Sequence, residues 1–125
     1  MNFEKVVFGF FITLAATLNF GFFIGEMDRP ELHSVWGLAA ALAVSVIATV
    51  LKFGDRTQLG AVHLATSLVA SLQLIIAGAY WVVAAQSGMS GGDMASVVSF
   101  AAGALMANVV SVILLISETI SFQRR

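Results

Sequence analysis

The chain has 125 residues, 59% of them hydrophobic and 10% charged, with a formal net charge of −1 and a mean hydropathy of +0.96. Soluble domains carry about a quarter charged residues, so this chain cannot dress a water-facing surface, and lipid must cover much of it. The charge balance speaks against nucleic-acid binding, and the absence of Cys removes disulfides, thiolate metal ligands and Cys nucleophiles together.

The first apolar stretch, Val6–Gly25, follows Glu4 and Lys5. It is far longer than the apolar region of a signal peptide and has no clear small-residue cleavage site, so it reads as a retained helix. Its small residues Gly9, Thr13, Thr17, Gly21 and Gly25 recur every four positions and form a ridge along one face. Phe8, Phe10, Phe11, Phe20, Phe22 and Phe23 crowd the other faces and are expected against lipid or a neighbouring subunit. An acidic segment follows, with Glu26, Asp28, Glu31 and His33, and reads as a solvated loop.

The second stretch, Val35–Leu51, carries its own ridge of Gly37, Ala41, Ser45 and Thr49. It closes with "TVLKFGD", Thr49 to Asp55, which is similar to the potassium-channel filter pattern T-V-G-[YF]-G-D. A filter sits on the outer side after a short pore helix and replaces hydration with backbone carbonyls. Here the segment ends a full span, and Leu51-Lys52 stands where a permissive Gly is needed. The expected structure is an ordinary helix end, with Lys52 reaching out to water, Gly54 as the cap and Asp55-Arg56 in a turn.

The third stretch, Leu59–Ala85, places His63, Thr66, Ala70, Gln73, Ala77 and Tyr80 on one helical face, with Ser67 and Ser71 beside it. The fourth, Met94–Ser117, has a small-residue ridge of Ala95, Ser99, Gly103, Ala107 and Ser111, and carries Asn108. "ALAVSVIATVLKFGD" from Ala41 aligns with "ALMANVVSVILLISE" from Ala104, pairing Ser45 with Asn108 and Asp55 with Glu118. This is the trace expected of a duplicated hairpin.

A helix needs about 20 residues to cross the hydrocarbon core, and four spans at about 5–25, 34–53, 58–85 and 93–118 meet that length. Period-2 alternation is absent, which excludes a membrane barrel. The fold class is therefore all-α, a single domain over 1–125 forming a four-transmembrane-helix bundle. Lys5, Lys52, Arg56, Arg124 and Arg125 fall on one side and Arg29 on the other, so both termini are expected in the cytoplasm. Small ridges let backbones approach closely in lipid, where apolar burial does not drive association. Ridges on three helices point to close helix packing and to a homo-oligomer.

Asn19, Thr66, Gln73, Asn108, Ser111 and His63 are the candidate liners of a polar path, because amides at membrane depth need protein or water partners. Interhelical hydrogen bonding is the structural alternative for the same groups. No charged residue lies deep in a span, which argues against a carboxylate-driven proton carrier. No Ser-His-Asp set, HExxH or phosphate loop is present, so no enzyme, cofactor or metal site is expected. "TLNFGFFIGE" and "ATVLKFGDRTQLGA" resemble segments of small four-helix bacterial inner-membrane proteins. That resemblance covers most of the chain and implies an inner-membrane location but no particular activity. The leading functional expectation is ion permeation by a homo-oligomer, with cations such as potassium as the expected species. The alternative is a non-conducting accessory or scaffold subunit of a larger membrane complex.

Overall fold

A computed structural model describes residues 3–26, 28–30, 33–55 and 57–123. Glu31, Arg56, Arg124 and Arg125 lie outside the described residues. The elements are α1 (Phe3–Phe23), α2 (Val35–Lys52), α3 (Gln58–Gln86) and α4 (Gly91–Gln123). All four are long and apolar enough to cross a membrane. Each packs along its neighbours in chain order and α4 closes the ring against α1, while the diagonal pairs barely touch. Short connections make the helices alternate in direction. The start of α1 and the end of α4 therefore share one end of the bundle, where Lys5 forms an ion pair with Glu118. This is the termini end of the bundle.

Polar residues in the connections start the helices. Ser34 Oγ accepts from the backbone N–H of Trp36 at 3.2 Å, and Thr57 Oγ1 accepts from that of Gly60 at 2.9 Å. Ser90 and Asp93 cap α4 reciprocally, each side chain accepting from the other's backbone N–H at 3.0 and 3.1 Å. Such caps satisfy N–H groups that the helix itself leaves open. Gly25 and Gly88 take φ of 110° and 92° after α1 and α3, a conformation that favours glycine. Gly54 takes no positive φ; α2 ends instead at Phe53, whose N–H bonds to the Val50 carbonyl. His33 is buried rather than solvated. Its ring nitrogens lie 2.6 Å from the Phe22 carbonyl and 2.9 Å from that of Glu26, tying the acidic loop to the end of α1.

The apolar interior has two layers. Near the termini end, Phe8, Ile12 and Ala48 pack with Phe11, Leu51, Val112 and Leu115. In the opposite half Phe22, Leu38, Leu74, Met94, Val97 and Val98 fill the space between Ala41, Ala70, Ala77, Ala101 and Ala104. Phe8 and Phe22 thus face inward, contrary to the expectation of lipid contact, while Phe10 and Phe20 are exposed. Small facing residues leave room that a large ring must occupy at protein packing density.

The three ridges have different fates. That of α2 faces the interior, with Ala41, Ser45 and Thr49 buried and Gly37 half-buried. On α4, Ala95, Gly103, Ala107 and Ser111 are half-buried or buried and Ser99 is exposed. On α1, Gly9 meets Leu115 but Thr13, Thr17, Gly21 and Gly25 are exposed.

Candidate functional site

The buried polar side chains climb one face of each helix at three- and four-residue spacing. They are Lys52, Thr49 and Ser45 on α2, His63, Ser67 and Ser71 on α3, and Ser111 and Asn108 on α4. On α1 the same interior face runs Phe8, Ile12, Ala15, Asn19 and Phe22. Together they form a polar column along the bundle axis. It begins at the termini end and stops at Asn19, beyond which lies the second apolar layer.

At the termini end two groups pack against one ring. The Lys52 ammonium sits 4.3 Å from the centroid of Phe8, a cation–π geometry. The His63 ring meets Phe8 edge-on at 4.9 Å between centroids. Lys52 is 3% exposed, so it does not reach out to water; it folds inward over Phe8 and contacts Asp55 Oδ2 at 3.3 Å. The other Asp55 oxygen accepts from the Thr57 hydroxyl at 2.7 Å and the Thr57 N–H at 3.0 Å. These bonds from Thr57, with the adjacent Lys52, hold the Asp55 carboxyl at about 2 against the ordinary 3.8. The carboxylate also lies over Gly60, where a Cβ would collide with it.

One turn deeper, proton counting fixes a chain of donors. The Thr66 hydroxyl lies 3.0 Å from the His63 carbonyl, which can only accept, so Thr66 spends its one proton there. The Ser111 hydroxyl, 2.9 Å from Thr66, must then be the donor to Thr66. Ser111 in turn accepts from His63 Nδ1 at 2.8 Å. All three contacts are satisfied together when His63 carries its proton on Nδ1. Nε2 of the neutral ring then presents a lone pair, and that atom is buried without a partner. Further along, Thr49 and Ser71 join α2 to α3 through a 3.2 Å hydroxyl contact, and Thr49 also donates to the Ser45 carbonyl.

The rest of the column is unpaired. Both side-chain atoms of Asn19, both of Asn108, and the hydroxyls of Ser45 and Ser67 are buried with no hydrogen-bond partner. Each of the four helices supplies one of these residues. Ser45 and Asn108, paired in the internal alignment, stand on diagonally opposite helices.

The sequence-selected residues therefore divide. Asn19, His63, Asn108 and Ser111 are buried in the interior, and Thr66 is half-buried at its edge. Gln73 lies at the α3–α4 seam, its amide against Gly103, and Tyr80 is exposed, donating to Asp93 at 3.2 Å. Lys52, Phe8, Ser45 and Ser67 belong to the column although they were not selected as liners. The signal for Lys52 was its position three after Thr49 and seven after Ser45, on the α2 ridge face. Two outward grooves, about 360 Å³ between α1 and α4 and about 310 Å³ between α3 and α4, are lined mainly by apolar side chains.

Four membrane-length helices around a shared polar column define a small polytopic membrane protein. Within that class the chain belongs to DUF6394, a family of unknown function, whose model matches residues 32–119. The match spans α2, α3 and most of α4, with Lys52, His63, Asn108 and Ser111, and excludes α1 with Phe8 and Asn19. Comparison with curated proteins and with solved structures finds no match.

Proposed function

We propose that the protein is a non-enzymatic transport unit that moves a small ion through the polar interior of each protomer. The observation that carries this reading is the set of unpaired buried groups Asn19, Ser45, Ser67 and Asn108, one from each helix. A buried polar group without a partner costs about 1–3 kcal/mol. Membrane helices that needed nothing but glue would aim such groups at one another. Four left open around one axis suit a hydrated path or a ligand. The path lies inside the protomer in this reading, in place of a pore between protomers lined by Gln73. Both termini face the cytoplasm of a bacterial inner membrane, following the Lys and Arg distribution.

The accessory-subunit reading keeps one specific support. Thr13, Thr17 and Gly21 form a small-residue ridge exposed on α1, the kind of surface on which a second membrane helix packs closely. The same ridge serves a homo-oligomer. Ion flux from purified protein in liposomes separates the readings. Transport by wild type that is lost in Asn19→Leu and Asn108→Leu supports the interior path. Absence of flux for every ion tried, from folded protein, rejects it in favour of the accessory role.

A further inference from the structure

The termini end of the column combines a donor with a spare proton and an acceptor with a spare lone pair. Lys52 has three N–H groups. One points to Asp55 at 3.3 Å and the ammonium rests on the face of Phe8, which leaves donor capacity unused. Nε2 of His63, whose ring meets the same Phe8 ring edge-on, is buried without a partner. Lys52 is the one buried Lys, Arg, Asp or Glu among the described residues. Asp55, in an ion pair with it at 3.3 Å, neutralises the mouth as a whole, so what Lys52 offers an anion is its unused N–H donors at close range.

We propose that this end of the column binds a small monovalent anion together with one proton, the anion on the Lys52 ammonium and the proton on Nε2 of His63. The two arrive as a pair for a physical reason. The Nε2 lone pair repels an anion until it is protonated, when it becomes a second donor. An imidazolium and a monovalent anion add no net charge to the interior, and a buried charge is tolerated when it is paired. The charged groups around His63 are Lys5 from α1, Lys52 from α2, Glu118 from α4 and Asp55 from the turn before α3. Lys5 and Glu118 neutralise each other in an ion pair, and Asp55 faces Lys52. The arriving anion is thus the counter-charge for the new imidazolium. Asn108 and the hydroxyls of Ser45 and Ser67 lie deeper in the column and can replace hydration by donating.

The inference names the ion for the transport reading and rests on that reading for flux, though not for binding. Purified protein in detergent is melted in sodium chloride, N-methylglucamine chloride and sodium gluconate at equal ionic strength, at about pH 8 and about pH 5.5, either side of the His range. Both chloride salts should raise the melting temperature over gluconate, and more so at the lower pH. Adding chloride to weakly buffered protein should make the solution more alkaline, by proton uptake. Lys52→Gln should lose the chloride effect and Lys52→Arg retain part of it. His63→Gln should lose the proton uptake. The wild-type salt comparison stands even if a variant fails to fold. Stabilisation that follows the cation, or identical melting in chloride and gluconate, overturns the proposal; the second result leaves water as the occupant. In liposomes, an inward chloride gradient should acidify the lumen as read by a trapped pH dye. Cation flux with no chloride or proton movement overturns the anion assignment while transport stands. Chloride binding without flux of any ion rejects transport and keeps the site.

Discussion

Gly103 offers the sharpest test of the packing. A Cβ built there would fall 2.7 Å from Gln73 Cδ and 2.8 Å from Nε2, and closer still to Oε1. Real side chains do not approach so closely, so Gly103→Ala must displace the Gln73 amide. Forcing an extra methyl into a packed seam costs about 1–3 kcal/mol, and here the obstacle is the far end of a flexible, half-buried side chain, so the cost lies at the low end, about 1 kcal/mol. Replacing Gly by Ala within a helix returns up to about 1 kcal/mol, so the net loss should be between about 0 and about 1 kcal/mol. Gly78, inside α3, is the control because a Cβ there meets nothing within 4 Å. Gly78→Ala takes the propensity gain alone. The difference between the two variants therefore isolates the steric cost, about 1 kcal/mol, the low end of the overpacking range. In a Gln73→Ala background the obstacle is gone, and the difference should collapse. The measurement is reversible unfolding of the four proteins in mixed micelles, followed by circular dichroism, with the coupling taken from the double-mutant cycle. Equal effects of Gly103→Ala and Gly78→Ala, or a gap that persists without Gln73, would refute the α3–α4 geometry on which this reasoning rests.

Asn108→Leu should raise stability by about 1–3 kcal/mol, since it removes a buried amide that has no partner, while abolishing flux; a destabilised variant shows that the amide is satisfied. Thr57→Val should cost about 1 kcal/mol through the lost cap and should also shift acid unfolding. Asp55 is depressed from 3.8 to about 2, so its contribution is complete above the ordinary value and is lost as pH falls towards 2. Without the Thr57 hydroxyl the folded value moves back towards 3.8, so that loss should be smaller and finish at a higher pH, and an unchanged acid limb argues against the bond. Gly21→Leu should leave protomer melting near wild type, because a Cβ there meets nothing within 4 Å, yet reduce the mass of the detergent-solubilised assembly by light scattering. Unchanged mass removes the exposed α1 ridge from the interface. Reporter fusions after Ser121 and at Ser87 should give opposite signals, with the first cytoplasmic; equal signals would contradict the single orientation.

The four spans were legible because their evidence is length and composition, which lipid imposes directly. The ends were legible to within a few residues. The largest difference is in α4, which runs to Gln123 because nothing between Ser117 and Gln123 breaks a helix. The inward face was harder to read. These helices are apolar all round, so hydrophobicity does not say which side meets lipid. Phe8 and Phe10 have the same chemistry in the sequence, yet one is buried and the other exposed. Polar residues gave the better guide, because hydrocarbon solvates them on no face. Asn19, His63, Asn108 and Ser111 follow that logic, whereas Gln73 reaches the seam. Lys52 escaped because a lysine at a helix end usually extends to water. The rule gave way once the aromatic face of Phe8 and the Asp55 carboxylate offered it partners inside.

The buried polar groups reach through only part of the interior, which sets a condition on the proposed transport. The column ends at Asn19, and the next layer is Phe22, Leu38, Leu74 and Met94, each almost fully buried. An ion cannot pass a layer packed to that density without rearrangement. The Phe22 ring is held between His33 and Trp81, at 5.4 and 6.2 Å between centroids. His33 in turn holds the Phe22 carbonyl and the loop that follows. The loop is therefore tied through His33 to the residue whose ring lies above Asn19. At the termini end Phe8 belongs to an apolar layer too, with Ile12 and Ala48, but there the Lys52 ammonium lies over the ring. A transporter with this interior would load through Lys52 and Phe8 and be limited by the release of Phe22. Binding and passage would then be separable, binding sensitive to Lys52 and passage to the contacts of His33.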